Sequence, residues 1–201
     1  MKKGLFQISV KDMCEMGIFV ALAILCDQFV KIPFAPTGGS LNFSTLFLFI
    51  IAIRHGWFKT LLSAGVVFGV ITCALDGYGF VTYPAEYLIA FGSIAITSLF
   101  APYIVNHYGK SKKETLISYG LAAAGVVSWA VIRLFAATFD SMVVWNYDFV
   151  SSIVYNLGYV LISAALVLVL FISVLHIIVE AVNPRYPTCF LNDVLVKDEV
   201  K

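Results

Sequence analysis

Long apolar runs are the feature that most limits what this chain can fold into. Of its 201 residues, 61% are hydrophobic and only 12% are charged, whereas soluble domains carry about a quarter charged residues. A helix needs about 20 mainly apolar residues to cross a bilayer. The sequence therefore predicts an integral membrane protein of the all-α class, with a length that suits a single domain.

Breaker-rich segments divide the apolar residues into six runs, as in PFAPTGG at 33–39 and DGYG at 76–79. The predicted membrane spans are residues 13–30, 41–53, 57–75, 85–107, 115–138 and 151–182. The second is short, so it is either tilted or begins earlier within the preceding loop. We predict one membrane domain over 1–201 with a short tail at 183–201.

The basic residues predict the orientation of the bundle, because cytoplasmic loops are enriched in Lys and Arg. In the six-span arrangement, eleven of the thirteen basic residues lie on the same side of the membrane. Lys31 lies on the other side, and Arg133 lies inside span five. Those eleven are Lys2, Lys3, Lys11, Arg54, Lys59, Lys110, Lys112, Lys113, Arg185, Lys197 and Lys201. Both termini are therefore predicted to be cytoplasmic, in a multi-pass protein of the cell membrane.

Motifs for enzymes, metals and ATP are missing from the sequence. The four cysteines (Cys14, Cys26, Cys73 and Cys189) have no CxxC or metal-binding spacing. No GxxxxGK[ST], HExxH or GxSxG pattern occurs. We expect neither enzymatic activity nor a cofactor nor a metal, and the net charge of +1 gives no indication of nucleic-acid binding.

Glu86 and Arg133 are the two best cases of ionisable residues at membrane depth, where charges are costly and indicate function by default. Glu86 opens the fourth span in YPAEYLIAF, and Arg133 lies inside the fifth. Either they border a ligand site, or Arg133 pairs with Asp140 or Glu86 and only holds helices together. A site of this kind also has aromatic candidates, Trp145 and Tyr147, although such residues populate the interfaces of any membrane protein.

Polar and small residues mark the first, third and sixth spans. Asn156 lies in an apolar helix and needs a partner, either another helix or a ligand. Gly17 and Ala21 form a small-xxx-small pair in span one, as do Gly65 and Gly69 in span three. Such pairs indicate close helix packing, either inside the bundle or against a partner subunit.

The order of these features resembles the substrate-binding S-components of energy-coupling factor (ECF) transporters, and most closely the thiamine-specific group. The resemblance runs over most of the chain. Its residues are Gly17 to Ala21, the stretch LFLFIIAIRHGWFKTLLSAGVVFGV, YPAEYLIAF, VIRLFAATF and SSIVYNLGY. It implies a membrane subunit that captures a water-soluble vitamin from outside and works with a shared T-component and two cytoplasmic ATPases, which use the ATP.

The resemblance also implies roles for individual residues. The ligand-binding positions of the thiamine group are matched by Glu86, Tyr87, Arg133 and Asn156, and an aromatic contact is matched by Trp145 or Tyr147. The positions that dock to the T-component in that family correspond to Gly17 and Ala21 here. The loop at 33–40 is interpreted as a lid.

One position departs from the thiamine group, which usually has a histidine four residues after the basic residue of span five. Ala137 stands there, so one ligand contact is missing. Thiamine or a thiamine precursor is the leading substrate, and another water-soluble vitamin is the first alternative. Two further hypotheses are a self-sufficient ion-coupled transporter, with Glu86 and Arg133 as the relay, and a membrane scaffold that binds no small molecule.

Overall fold

The computed structural model describes residues 8–30, 32–35, 38–41 and 43–182. It contains six helices and one two-stranded hairpin, so the predicted all-α class with six helices is confirmed. The elements in chain order are α1 (Val10–Phe29), β1 (Ile32–Ala35), β2 (Gly38–Leu41), α2 (Thr45–His55), α3 (Trp57–Asp76), α4 (Tyr83–His107), α5 (Lys112–Val143) and α6 (Phe149–Val182). The predicted tail at 183–201 lies outside the described residues.

Four of these helices, α3 to α6, are long and apolar enough to cross a membrane. Helix α2 differs because its 11 residues extend only about 16 Å along the axis. It begins at Thr45 rather than at the predicted residue 41, since Gly38–Leu41 forms β2. Almost every residue of α2 is buried by its neighbours, which explains how so short a helix remains in an apolar bundle.

The core of the bundle is built around α2. The Phe49 ring lies 5.5 Å from the Trp129 ring in an edge-to-face arrangement and 5.3 Å from the Phe171 ring. Aromatic pairs at these distances add stabilisation beyond the apolar area that they bury. Helices α2, α5 and α6 are therefore fixed against one another through these three side chains.

Helices α3 and α4 approach closely through glycine. A Cβ added to Gly65 would lie 3.2 Å from the Cα of Gly92, and one added to Gly69 would lie 3.3 Å from the Cβ of Tyr87. The internal-packing interpretation of Gly65 and Gly69 is therefore confirmed. Gly17 differs, because nothing lies within 4 Å of the position that its Cβ would occupy.

A buried ionic cluster joins α1 to the turn between α2 and α3. Lys59 Nζ lies 2.8 Å from Asp12 Oδ2, and Arg54 Nε lies 2.5 Å from Glu15 Oε1. His55 lies between the two acids, 3.7 Å from Asp12 and 3.5 Å from Glu15. The acid that pairs with Lys59 also caps α1, since Asp12 and Ser9 form a reciprocal capping box.

This cluster changes the meaning of two basic residues in the orientation argument. The sequence suggests that Arg54 and Lys59 are open cytoplasmic charges, but both are buried against acids of α1. Their net contribution to the charge of that face is therefore small. The cytoplasmic position of the termini stays a prediction that rests on the remaining basic residues.

Candidate functional site

A group of polar and aromatic side chains lies at the opposite end of the bundle from the ionic cluster. We call this region the Glu86 end; it comprises the end of α3, the start of α4 and the facing parts of α5 and α6. Its principal residues are Asp76, Glu86, Tyr87, Phe91, Trp129, Arg133, Asp140, Asn156 and Tyr159.

The first turns of α4 are wider than those of an ordinary α-helix. Over Tyr83–Ile89 the hydrogen bonds skip one more residue, as in the bond from the amide of Ala90 to the carbonyl of Ala85. Widened turns of this kind occur frequently at functional sites, and α3 contains another such segment at Leu61–Phe68. Here the widened segment carries Glu86 and Tyr87.

Tyr87 is buried and ties α4 to the end of α3. Its hydroxyl donates a hydrogen bond of 2.9 Å to Asp76 Oδ2. Its ring also lies 6.1 Å from the Phe91 ring, one turn further along α4. The side chain that sequence analysis places in the ligand site is thus held by an acid from a neighbouring helix.

Glu86 is partly buried and lies among charged groups rather than at an open helix end. Its carboxylate is within electrostatic range of Arg133, Asp140 and Asp76, and the Tyr159 side chain is close enough to hydrogen bond to it. The carboxylates of Glu86, Asp76 and Asp140 therefore outnumber the one guanidinium that acts on Glu86 in this region. Such an excess of acid favours a ligand that carries a positive charge.

Arg133 is almost completely buried, with 5% of its surface exposed. The carbon at the centre of its guanidinium lies 5.0 Å from the Phe91 ring centre, 5.4 Å from that of Trp129 and 5.9 Å from that of Tyr159. Cation–π attraction at these distances stabilises the charge in an apolar setting. The three rings come from α4, α5 and α6, so Arg133 lies where these helices meet.

Neither ion pair that the sequence suggested for Arg133 is formed. Among the described residues, no carboxylate oxygen of Glu86 or Asp140 comes within 4.0 Å of a guanidinium nitrogen of Arg133. Arg133 is therefore not joined to either acid by a direct ion pair, although its charge still acts on Glu86. The aromatic rings hold the side chain instead.

Asn156 has its partner on another helix. Its Nδ2 donates to Ser141 Oγ at 3.0 Å, and that hydroxyl in turn donates to the carbonyl of Ala137 at 2.9 Å. Asn156 therefore links α6 to the part of α5 that contains Ala137. Ala137 itself is buried and lies one turn from both Arg133 and Asp140 on the same face of α5.

Trp145 and Tyr147 lie in the connection between α5 and α6, and both are about half exposed. The Trp145 ring contacts Tyr78, with ring centres 5.9 Å apart. The Tyr147 amide donates to the carbonyl of Ser141 at 3.2 Å. The rings around Arg133 belong to Phe91, Trp129 and Tyr159 instead. The role of Trp145 and Tyr147 as ligand contacts therefore stays a prediction.

Sequence reasoning did not assign Phe91, Trp129, Tyr159 or Asp140 to the site. A signal existed for two of them, because Trp129 precedes Arg133 by one helical turn and Tyr159 shares a helical face with Tyr155. Phe91 is one of many apolar residues in α4, and no pattern distinguishes it from a core side chain. Asp140 was expected at the outer face and as an ion-pair partner of Arg133, but not as one of the ligand-binding residues.

The hairpin of β1 and β2 includes part of the segment at 33–40 that is predicted to form a lid. Its strands are antiparallel, with Ile32 opposite Leu41 and Ala35 opposite Gly38. The carbonyl of Ser40 accepts a hydrogen bond of 3.5 Å from Ser163 on α6. Residues 36 and 37 lie outside the described residues, and the lid role stays a prediction.

The predicted docking residues of α1 are accessible. Gly17 and Ala21 are both exposed on the outer surface of the bundle. Ile18 and Leu22 on the same surface are exposed as well. A second membrane protein is therefore able to approach α1 closely along this surface.

Comparisons with known proteins agree with the fold. The family model described as "Thiamine transporter protein (Thia_YuaJ)" matches residues 13–183. Among solved structures, ThiT from Listeria monocytogenes is similar with a TM-score of 0.65 and 17% identity, over 86% of this chain and 94% of that chain. At this identity the likeness shows the fold alone. No curated protein matches the chain.

Proposed function

We propose, from the premise that this chain belongs to the thiamine transporter protein family, that it is the high-affinity binding subunit of an importer for thiamine or a thiamine precursor. The observation that carries the proposal is the position of Glu86 beside aromatic side chains and an excess of carboxylates. The chain is a transporter subunit and not an enzyme, in agreement with the family and the fold.

The chemistry of the Glu86 end suits a flat, positively charged ligand. A carboxylate accepts hydrogen bonds from an aminopyrimidine and balances the charge of a thiazolium ring. Tyr87 follows Glu86 directly in the chain, and its ring lies near that of Phe91, so aromatic side chains are present at this end of the bundle. Asp76 and Asp140 add negative charge without a second buried cation to offset it among the described residues of the site.

We further propose that the chain works as an S-component with a T-component and two cytoplasmic ATPases. The supporting observation is the open surface around Gly17 and Ala21, where nothing lies within 4 Å of a Cβ built on Gly17. In this arrangement the ATPases hydrolyse ATP, and the chain itself needs no cofactor. The Glu86 end then faces the exterior of the cell membrane, and the ionic cluster faces the cytoplasm.

A screen by thermal shift tests the substrate, because a ligand that binds the native state raises the melting temperature by mass action. The purified protein is heated with thiamine, its hydroxymethylpyrimidine precursor, riboflavin and folate in separate samples. We expect the largest rise with thiamine or its precursor. A larger rise with a vitamin that lacks the aminopyrimidine and thiazolium rings would contradict the substrate assignment.

Uptake measurements in membrane vesicles test the partners. We expect accumulation of thiamine only when a T-component and both ATPases are produced with the chain. Uptake by the chain alone, abolished by a protonophore, would favour the ion-coupled transporter instead. Absence of binding to any of the small molecules would favour the membrane scaffold.

A further inference from the structure

Arg133 has one buried hydrogen-bond donor without an acceptor among the described residues. Its Nε is inaccessible and has no acceptor among the described residues. The indole Nε1 of Trp129, one turn earlier on the same face of α5, is also buried without an acceptor in the described part of the chain. Buried donors are usually paired, and these two donors without an acceptor lie one helical turn apart within the candidate site.

The aromatic rings stabilise the positive charge of Arg133, but they provide no oxygen or nitrogen acceptor for its N–H groups. Cation–π attraction acts between the charge and a ring face, and it gives the N–H groups no lone pair to bind. A guanidinium has five N–H donors in a planar fork that matches carboxylate and phosphate oxygens. Phe91, Trp129 and Tyr159 therefore pack around the guanidinium, while its Nε has no acceptor in the described part of the chain.

The distance between Arg133 and the nearby acids has a consequence for the ligand. Glu86 and Asp140 affect each other electrostatically, yet neither comes within 4.0 Å of the guanidinium. A molecule that carries both a positive and a negative group can place the first at Glu86 and the second at Arg133. A ligand with a positive ring and no anionic group offers Arg133 only neutral acceptors, which a guanidinium binds more weakly than an anion.

We propose that Arg133 is a specificity-determining residue that binds an anionic group of the ligand, a phosphate ester or a carboxylate. This inference rests on the proposed function, because it takes the positive ring of a thiamine-like molecule to lie at Glu86. The preferred substrate class is then a thiamine derivative whose hydroxyethyl arm ends in an anion. Thiamine itself binds more weakly than such a derivative.

Three ligands that differ only in this arm test the inference: thiamine, thiamine monophosphate and thiamine acetic acid. Dissociation constants are measured by calorimetry on the wild-type protein and on Arg133→Gln. We expect both anionic ligands to bind wild-type protein at least tenfold more tightly than thiamine. Arg133→Gln is expected to reduce this preference to less than threefold.

Two further variants separate ligand binding from structural support. Arg133→Lys keeps the charge but loses the planar fork, so it is expected to retain only part of the preference. Lys110→Gln removes an exposed charge at the opposite end of the bundle and is expected to leave all three affinities unchanged. If Arg133→Gln does not fold, the comparison of Arg133→Lys with wild-type protein decides.

The possible outcomes are distinct. Tighter binding of thiamine than of both anionic ligands, or an equal loss for all three in Arg133→Gln, would overturn the role of Arg133 and leave the thiamine assignment in place. Binding of none of the three would overturn the thiamine assignment. In that case the melting temperature with inorganic phosphate decides for Arg133: a rise in wild-type protein that is absent in Arg133→Gln supports anion binding, and no rise overturns it.

Discussion

Lys59 and Asp12 form an ion pair of 2.8 Å in which both side chains are 99% buried, although 47 residues separate them in the chain. The pair belongs to α3 and to the first turn of α1. It therefore anchors the start of the helix that carries the proposed docking surface. The other members of the ionic cluster, Glu15, Arg54 and His55, extend this connection to α2.

We expect Asp12→Ala to destabilise the protein strongly. Removal of one partner leaves Lys59 as a buried charge without its acid, which typically costs about 3–5 kcal/mol of unfolding free energy. Loss of the capping interaction with Ser9 adds about 1 kcal/mol. Thermal and denaturant unfolding in detergent measure the effect, and Ser9→Ala serves as the matched control for the cap alone.

The double variant Asp12→Leu with Lys59→Met distinguishes the destabilisation caused by an unpaired buried charge from the stabilisation that the ion pair itself provides. Replacement of both partners by apolar residues of similar volume is often neutral. We expect it to recover most of the stability lost in Asp12→Ala. If the double variant is as unstable as Asp12→Ala, the ion pair itself stabilises the fold, and the loss in Asp12→Ala is not due only to an unpaired buried Lys59.

Glu86→Gln is expected to weaken substrate binding by about 1–3 kcal/mol, the scale of a lost hydrogen bond to a charged group. Glutamine keeps the shape of the side chain, so expression and melting temperature should change little. Calorimetric titration with thiamine measures the change. Asp148→Asn is the control, because this exposed acid caps α6 through Ser151 and asparagine caps equally well. An unchanged affinity in Glu86→Gln would remove Glu86 from the site.

Replacement of both Gly17 and Ala21 by Leu should abolish transport by the complete importer while sparing ligand binding by the isolated chain. The physical reason is that large side chains keep a partner helix away from α1. Vesicle uptake and calorimetry are measured on the same variant. Gly120→Leu is the matched control, since Gly120 is exposed on α5 and nothing lies within 4 Å of its Cβ position. Normal transport by the double variant would exclude Gly17 and Ala21 from the docking surface.

Ala137→His places an imidazole where the thiamine group usually has one. Ala137 is buried on the same face as Arg133 and Asp140, so the larger side chain must be accommodated next to them. We expect the dissociation constant for thiamine to change by tenfold or more, about 1.4 kcal/mol. Tighter binding would show a restored contact, and weaker binding would show that the ring blocks the site.

Ala137→Ser is the companion variant, because it adds a hydroxyl with little volume. We expect its dissociation constant for thiamine to stay within threefold of the wild-type value. If neither substitution changes the affinity for any ligand, Ala137 does not face the substrate, and the departure from the thiamine group at this position has no bearing on specificity.

Several features of the site were accessible from sequence because they depend on local order. Glu86 and Tyr87 follow a breaker and open an apolar helix, so their place at one end of the bundle is fixed by the length of the span. The position of Arg133 inside span five follows in the same way. Trp145 and Tyr147 were placed correctly in a connection between helices, but sequence gave no means of deciding which rings approach Arg133.

The length and spacing of the apolar runs determined by themselves that this protein is a bundle of six helices, because each run must satisfy its own backbone hydrogen bonds in a membrane. The tertiary structure alone decided which side chains meet. It buried Arg54 and Lys59 against α1, and it surrounded Arg133 with Phe91, Trp129 and Tyr159 instead of an acid. The physical reason is that lipid-facing and interior surfaces of such helices are both apolar, so the sequence pattern does not reveal how each helix is rotated toward its neighbours.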